Sequence, residues 1–178
     1  MKKTKYFLTV IFLINTISNL TFSQVIETNY LKLGEIYYDV GEYNKAYECF
    51  KKVVEQDSIR VYSYMYLLFL NGEGVVKDKE KALEWLKIGV DKGDARSQYF
   101  YGNNFIRNDS DNKDYESGIY WLEKAGEKGE IGAQNYLEYL YKYEIIDYEK
   151  SFYWYKKSAK QNDPVAQSYV GEMYYNGQ

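Results

Sequence analysis

The stretches YWLEKAGEKGEIGAQNYL (Tyr120–Leu137) and YWYKKSAKQNDPVAQSYV (Tyr153–Val170) are near copies of each other. A third copy, EWLKIGVDKGDARSQYFY, starts at Glu84, and a weaker fourth, ECFKKVVEQDSIRVYSYM, starts at Glu48. The four starts lie 36, 36 and 33 residues apart, and a period of roughly 20–50 residues marks a solenoid, propeller or array. The first half of each copy places apolar or small residues at i, i+3, i+4 and i+7: Ala46, Cys49, Phe50, Val53; Ala82, Trp85, Leu86, Gly89; Gly118, Trp121, Leu122, Ala125; Ser151, Trp154, Tyr155, Ser158. This is one face of an amphipathic helix, helix B. The second half repeats at i, i+4, i+7 and i+8: Val61, Met65, Leu68, Phe69; Ser97, Tyr101, Asn104, Phe105; Ala133, Leu137, Leu140, Tyr141; Ala166, Val170, Met173, Tyr174. That spacing is also helical and defines helix A. A further A-like segment, NYLKLGEIYYDVG, covers Asn29–Gly41.

Between B and A stand DKGD, EKGE and QNDP, polar breakers suited to a helix stop followed by a new start. Pro164 falls where a first-turn proline is tolerated. Ala46 to Tyr66, Ala82 to Gly102, Gly118 to Glu138 and Ser151 to Gly171 are each 20 residues, whereas the A-to-B steps, Gly34 to Ala46, Tyr66 to Ala82, Gly102 to Gly118 and Glu138 to Ser151, are 12, 16, 16 and 13. Loop length is thermodynamically cheap, about 0.6 kcal/mol per doubling. A constant B-to-A step therefore predicts a turn whose packing register is held, and an all-α stack of antiparallel helix pairs.

The first residues read differently. Lys2, Lys3 and Lys5 precede a mostly apolar run from Tyr6 to Leu20, and Thr21 and Ser23 are spaced for a signal peptidase. The expected arrangement is a signal peptide over 1–23, cleaved after Ser23, and a repeat domain over 24–178 with about four helix pairs and a partial fifth unit. An uncleaved anchor is the weaker alternative, because the run is short and diluted for a span of about twenty residues. The expected location is thus exported, periplasmic or secreted, with no membrane span after cleavage. The expected mature chain keeps 20 basic against 26 acidic residues, net −6, which argues against a nucleic-acid partner. A single cysteine excludes an internal disulfide framework. The absence of histidine removes Ser-His and Cys-His catalysis and His-ligated metals.

These residues resemble the Sel1-like repeat, a relative of the tetratricopeptide repeat. FLNGEGVVKDKEKALEWLKIG (Phe69–Gly89) is the fullest match to the family phrase. YVGEMYYNG (Tyr169–Gly177) and YWLEKA (Tyr120–Ala125) are partial matches, and LGEIYYDVGEYNKAYECFKKV (Leu33–Val53) is closer to a plain tetratricopeptide unit. The resemblance covers about Asn29 to the end. Tyr66 and Glu138 stand where the family favours glycine. The resemblance implies a right-handed α-solenoid, a TPR-like superhelix with helix A lining the concave face, and no chemistry. Such proteins are generally adaptors that gather other proteins.

On that resemblance Leu67, Leu70 and Asn71, then Tyr99, Asn103, Ile106 and Arg107, then Asn135, Tyr139, Lys142 and Tyr143 point into the groove. The residues assigned to partner binding are Arg60, Tyr99, Asn103, Arg107, Tyr139, Lys142 and Tyr143, offering aromatic contact, hydrogen bonds and cations to a protein or peptide segment. Tyr99, Tyr139 and Tyr143 read equally as incidental packing. Trp85, Trp121, Trp154, Tyr101 and Tyr141 read as core by their spacing. No catalytic residue, metal or cofactor is expected. The loop Asn108–Glu116 misses the EF-hand template at Lys113, Asp114 and Tyr120 and reads as a solvated connection. GEGV (Gly72–Val75) lacks the Gly-Lys-Ser/Thr ending of a phosphate loop and reads as a turn needing positive φ. Cys49 reads as a buried small hydrophobe. The rival functions are an envelope hydrolase or peptidoglycan-interacting protein, and a structural spacer with no groove ligand.

Overall fold

The computed structural model describes residues 30–54, 58–107 and 114–175. The signal-peptide reading of 1–23 and most of the loop Asn108–Glu116 lie outside them. Among the described residues every regular element is helical: α1 (residues 30–39), α2 (Tyr43–Val54), α3 (Val61–Asn71), α4 (Lys79–Asp91), α5 (Ala95–Ile106), α6 (Tyr115–Glu127), α7 (Ile131–Tyr139), α8 (Tyr148–Ala159) and α9 (Pro164–Tyr175). The chain forms two compact units, Met1–Lys79 and Glu80–Gln178. In the first, α2 packs on α3; in the second, α5 packs on α6, α6 on α7, α7 on α8 and α8 on α9. Each unit is thus built from consecutive helices, as the repeat predicts.

The constant B-to-A step has a local cause. At the ends of α4, α6 and α8 the backbone turns through a left-handed residue, Gly93 (φ 79°), Gly129 (φ 90°) and Asn162 (φ 66°). The next amide then reaches back into the helix just ended: Asp94 to Gly89 O, Glu130 to Ala125 O and Asp163 to Ser158 O. The same three acidic residues cap the following helix, accepting from the amides of Ser97, Gly132 and Ala166 respectively. One residue therefore closes helix B and opens helix A, which leaves no room for a register slip. Gln134 Nε2 donates to Gly126 O (2.8 Å) and Gln167 Nε2 to Ala159 O (3.2 Å), tying each A helix to the end of its own B helix. Successive turns also join, through Lys128 Nζ to Gly93 O (2.7 Å) and Gln161 Nε2 to Gly129 O (3.1 Å).

The A-to-B connections differ from one another. Gly72 (φ 78°) and Gly74 (φ 70°) make the GEGV turn left-handed, as expected, and a Cβ on Gly74 would lie 2.5 Å from the Tyr43 carbonyl carbon. The α7–α8 connection instead uses a π-helical turn, Leu140–Glu144, then Ile146 at φ 61° and Asp147 as the cap of α8. Asp114, one of the positions at which the loop departs from the EF-hand template, caps α6 by accepting from the Ser117 amide at 2.9 Å.

The buried set follows the sequence pattern closely on the B helices: Ala46, Cys49, Phe50, Val53, Ala82, Leu86, Gly89, Gly118, Leu122, Ala125, Ser151, Trp154, Tyr155 and Ser158 are all buried. Trp85 and Trp121 are only half-buried. On α5 the expected face is rotated. Asn104 is exposed, Tyr101 and Phe105 are half-buried, and the interior holds Ser97, Gln98, Gly102 and Ile106. The reason is close backbone approach: a Cβ on Gly102 would meet Gly118 O at 2.8 Å, and one on Gly118 would meet Ile106 Cδ1 at 2.8 Å. Ile106 is therefore core, at 4% exposure, and not a groove residue. Tyr101 becomes a rim ring, edge-on to Trp121 at 5.5 Å.

Glu138 occupies the position of Gly102 in the next repeat. There the α7–α8 approach is bridged by the Ser151 hydroxyl, which donates to Glu138 O at 3.2 Å. The Glu138 side chain is buried and its Oε1 has no partner among the described residues. Burial, then repulsion by Asp163, pushes its pKa from 4.5 up to about 7, against the Ser158 hydroxyl, which lowers it. A raised carboxyl pKa means that the native state binds the proton more tightly than the unfolded chain. The group's contribution is most favourable below about 4.5 and is lost as pH climbs through 7. Glu138→Gln should therefore stabilise the protein at pH 8 by up to about 3 kcal/mol, with the gain shrinking towards pH 4.5. Urea melts at pH 5 and pH 8 check this; an equal difference at both would refute it.

Candidate functional site

Six of the seven residues assigned to partner binding lie in the second unit, on α5 and on α7 with its π turn. Tyr99 is half-buried; its ring packs beside Phe100 at 5.2 Å and would lie 3.3 Å from a Cβ on Gly132. Burial, followed by the Glu130 carboxylate, raises its hydroxyl above the usual tyrosine range. Asn103 is half-buried with its Oδ1 enclosed. Arg107 ends α5, exposed, with its amide donating to Asn103 O. Tyr139 is exposed and donates its hydroxyl to Glu144 Oε1 at 3.2 Å, and its ring lies 5.3 Å from that of exposed Tyr143. Lys142 is half-buried, with Nζ 4.1 Å from the Tyr169 ring centroid, 5.1 Å from Tyr143 and 5.7 Å from Tyr155. The structure thus brings Tyr139, Lys142 and Tyr143 into one patch. Arg60 belongs to the first unit, where it pairs with Glu35 at 3.2 Å.

The site has members that the sequence reading left out. Tyr136 and Tyr115 are half-buried rings packed on the second unit's core, as Tyr99 is. Tyr155 and Tyr169 lie tilted by 30° against each other, centroids 4.0 Å apart, under Lys142. A repeat signal marks them. The residue three after the first buried position of helix A is aromatic in every copy: Tyr64, Phe100, Tyr136 and Tyr169. Where helix B carries a ring at its fifth position, that ring packs on it, as Phe50 does on Tyr64 (4.7 Å) and Tyr155 on Tyr169. The π turn re-aims the end of α7, and such turns recur at functional positions.

Compared with known families, the chain matches the Sel1 repeat over residues 30–58, 62–94, 95–130, 134–163 and 164–178. The chain belongs to the Sel1 repeat family. Proteins of this family generally mediate protein–protein interaction and generally act without catalysis. Among solved structures, a Sel1 repeat protein from Oxalobacter formigenes is similar to this Sel1 repeat chain at 25% identity and a TM-score of 0.65, over 83% of this chain and 62% of that one. The protein c5321, a protective antigen of uropathogenic Escherichia coli strains displaying an SLR fold, is similar at 26% identity and a TM-score of 0.61, over 87% of this chain and 35% of that one. This chain therefore spans less than two thirds of either relative. None of the curated proteins matches it. Among the described residues no helix is long and apolar enough to cross a membrane.

Proposed function

We propose that this Sel1 repeat chain is a non-enzymatic adaptor that holds a polypeptide segment on the face formed by α5, α7 and the π turn. The observation that carries the reading is the tyrosine patch itself: Tyr139 and Tyr143 keep 47% and 58% of their surface exposed beside half-buried Lys142. Tyrosine and arginine supply large contact area with a polar tip, and binding energy concentrates in such residues. Asn103 and Arg107 flank the patch as hydrogen-bonding and charged contacts. Arg60, which pairs with Glu35 in the first unit, is not part of this face.

The test is selection of peptides from a random display library on the purified mature chain. Replacing Tyr99, Arg107 and Tyr139 together with alanine should weaken the selected peptides by at least about tenfold, since hot-spot truncations each cost more than about 1 kcal/mol. Arg107 and Tyr139 are exposed, so any fall in melting temperature should come from Tyr99, which packs on the core, and the Arg107/Tyr139 double replacement serves as the fold-neutral control. Unchanged affinity would favour a structural spacer. Export belongs with this reading. It rests on Lys2, Lys3 and Lys5 ahead of an apolar run, and the amino-terminal sequence of the mature protein tests it, with Gln24 as the expected first residue.

A further inference from the structure

We infer that the polypeptide held on this face is acidic, with one carboxylate received by Lys142 and its surrounding tyrosines and another by Arg107. The inference rests on the adaptor reading above and names the chemistry of its partner.

Lys142 is a half-buried cation whose described neighbours are aromatic. Its ammonium lies over Tyr169, Tyr143 and Tyr155, and no carboxylate lies within ion-pair distance of it among the described residues. The acidic residues closest to it in sequence form no ion pair with it. Glu144 accepts the Tyr139 hydroxyl, and Glu138 is buried. Ring faces attract a cation through their quadrupole and hold it in place, but they do not neutralise it. An ammonium fixed in this way retains N–H groups to donate and has already surrendered much of its side-chain freedom. An incoming carboxylate then gains a charge-assisted hydrogen bond at reduced entropic cost. The phenol groups of Tyr143 and Tyr169 offer further donors beside it.

Arg107, at the end of α5, is exposed and forms no ion pair with a described carboxylate. Elsewhere in the second unit Lys157 pairs with Glu127 and Lys150 with Asp147, whereas Lys124 and Lys156, which also lie over rings, are exposed and not half-buried as Lys142 is. A basic segment is disfavoured because the position over Tyr169 is already held by Lys142.

The experiment uses the display selection together with defined probes. Selected peptides should be enriched in glutamate and aspartate over the naive library. Replacing the peptide's acidic residues with their amides should weaken binding by about tenfold, as expected for loss of a charge-assisted contact. Lys142→Met should produce a similar loss, Lys142→Arg should retain most of the affinity, and raising the salt concentration should weaken binding. The amide exchange is made in the peptide, so it reads the contact even if a Lys142 variant folds poorly. Selected peptides that are neutral or basic, yet lose affinity on the Tyr99/Arg107/Tyr139 replacement, would overturn the acidic inference and leave the adaptor reading standing. Selected peptides insensitive to that replacement would overturn both. Binding of a ten-residue single-stranded oligothymidylate as tight as that of the peptides would overturn the choice of a polypeptide carboxylate.

Discussion

Replacing Trp154 with alanine is expected to cost about 3–5 kcal/mol of folding stability, the range for truncating a fully packed aromatic residue. Trp154 is 3% exposed and joins Leu122, Ala125, Leu137 and Tyr141 in the core of the second unit. Its indole also fills the space left by Gly126, where an added Cβ would lie 2.7 Å from the ring. A glycine and a tryptophan thus share one volume across α6 and α8. Truncating the ring opens a void that neither helix can close, because the capped turns on either side hold both in place. Against a total stability of about 5–15 kcal/mol, such a loss brings the second unit close to unfolding. Trp121 stands at the same repeat position but is half-buried, edge-on to Tyr101 and beneath Lys124. Trp121→Ala should therefore cost clearly less. Thermal or urea unfolding of the two variants checks the order, and equal losses would show that the repeat position, not the burial, sets the energetics.

Gly118→Leu should be of comparable size, through overpacking instead of a void. A Cβ at Gly118 would lie 2.8 Å from Ile106 Cδ1 and 3.0 Å from Gly102 O, so α5 and α6 must move apart to admit any side chain. Overpacking of this kind costs about 1–3 kcal/mol, and more where backbone must shift, against a helix-propensity gain of under about 1 kcal/mol. We expect a net loss of about 3 kcal/mol. Gly171 is the control. It occupies the same repeat position as Gly102, but a Cβ there would have nothing within 4 Å. Gly171→Ala should stabilise α9 by about 0.5–1 kcal/mol, the propensity gain alone. Two glycines at one repeat position should therefore respond with opposite signs, Gly102→Ala destabilising and Gly171→Ala stabilising. A shared sign in differential scanning calorimetry would refute the packing account.

The groove residues show where local reading stops. Tyr139 and Tyr143 were assigned to the exposed face of helix A from their spacing, and both are exposed. Ile106 was assigned to the same face and is buried, because the glycine contact rotates α5 towards α6. Tyr155 was read as ordinary core; its contact with Tyr169 under Lys142 involves three elements and depends on a π turn that leaves no trace in periodicity. In the sequence Glu138 stands out only as a departure from glycine. Its pKa is raised by burial and by Asp163, 25 residues further along the chain, against the Ser158 hydroxyl, 20 residues along, which lowers it.

The helices, their alternation and the constant step from B to A were legible in the residues themselves, since amphipathic spacing, left-handed glycines and acidic caps act over a single turn of chain. Which side chains meet across helices was decided only by the tertiary structure. A contact of 3 to 5 Å depends on how closely two backbones approach, and here a glycine facing a glycine, or a serine facing a glutamate, sets that distance.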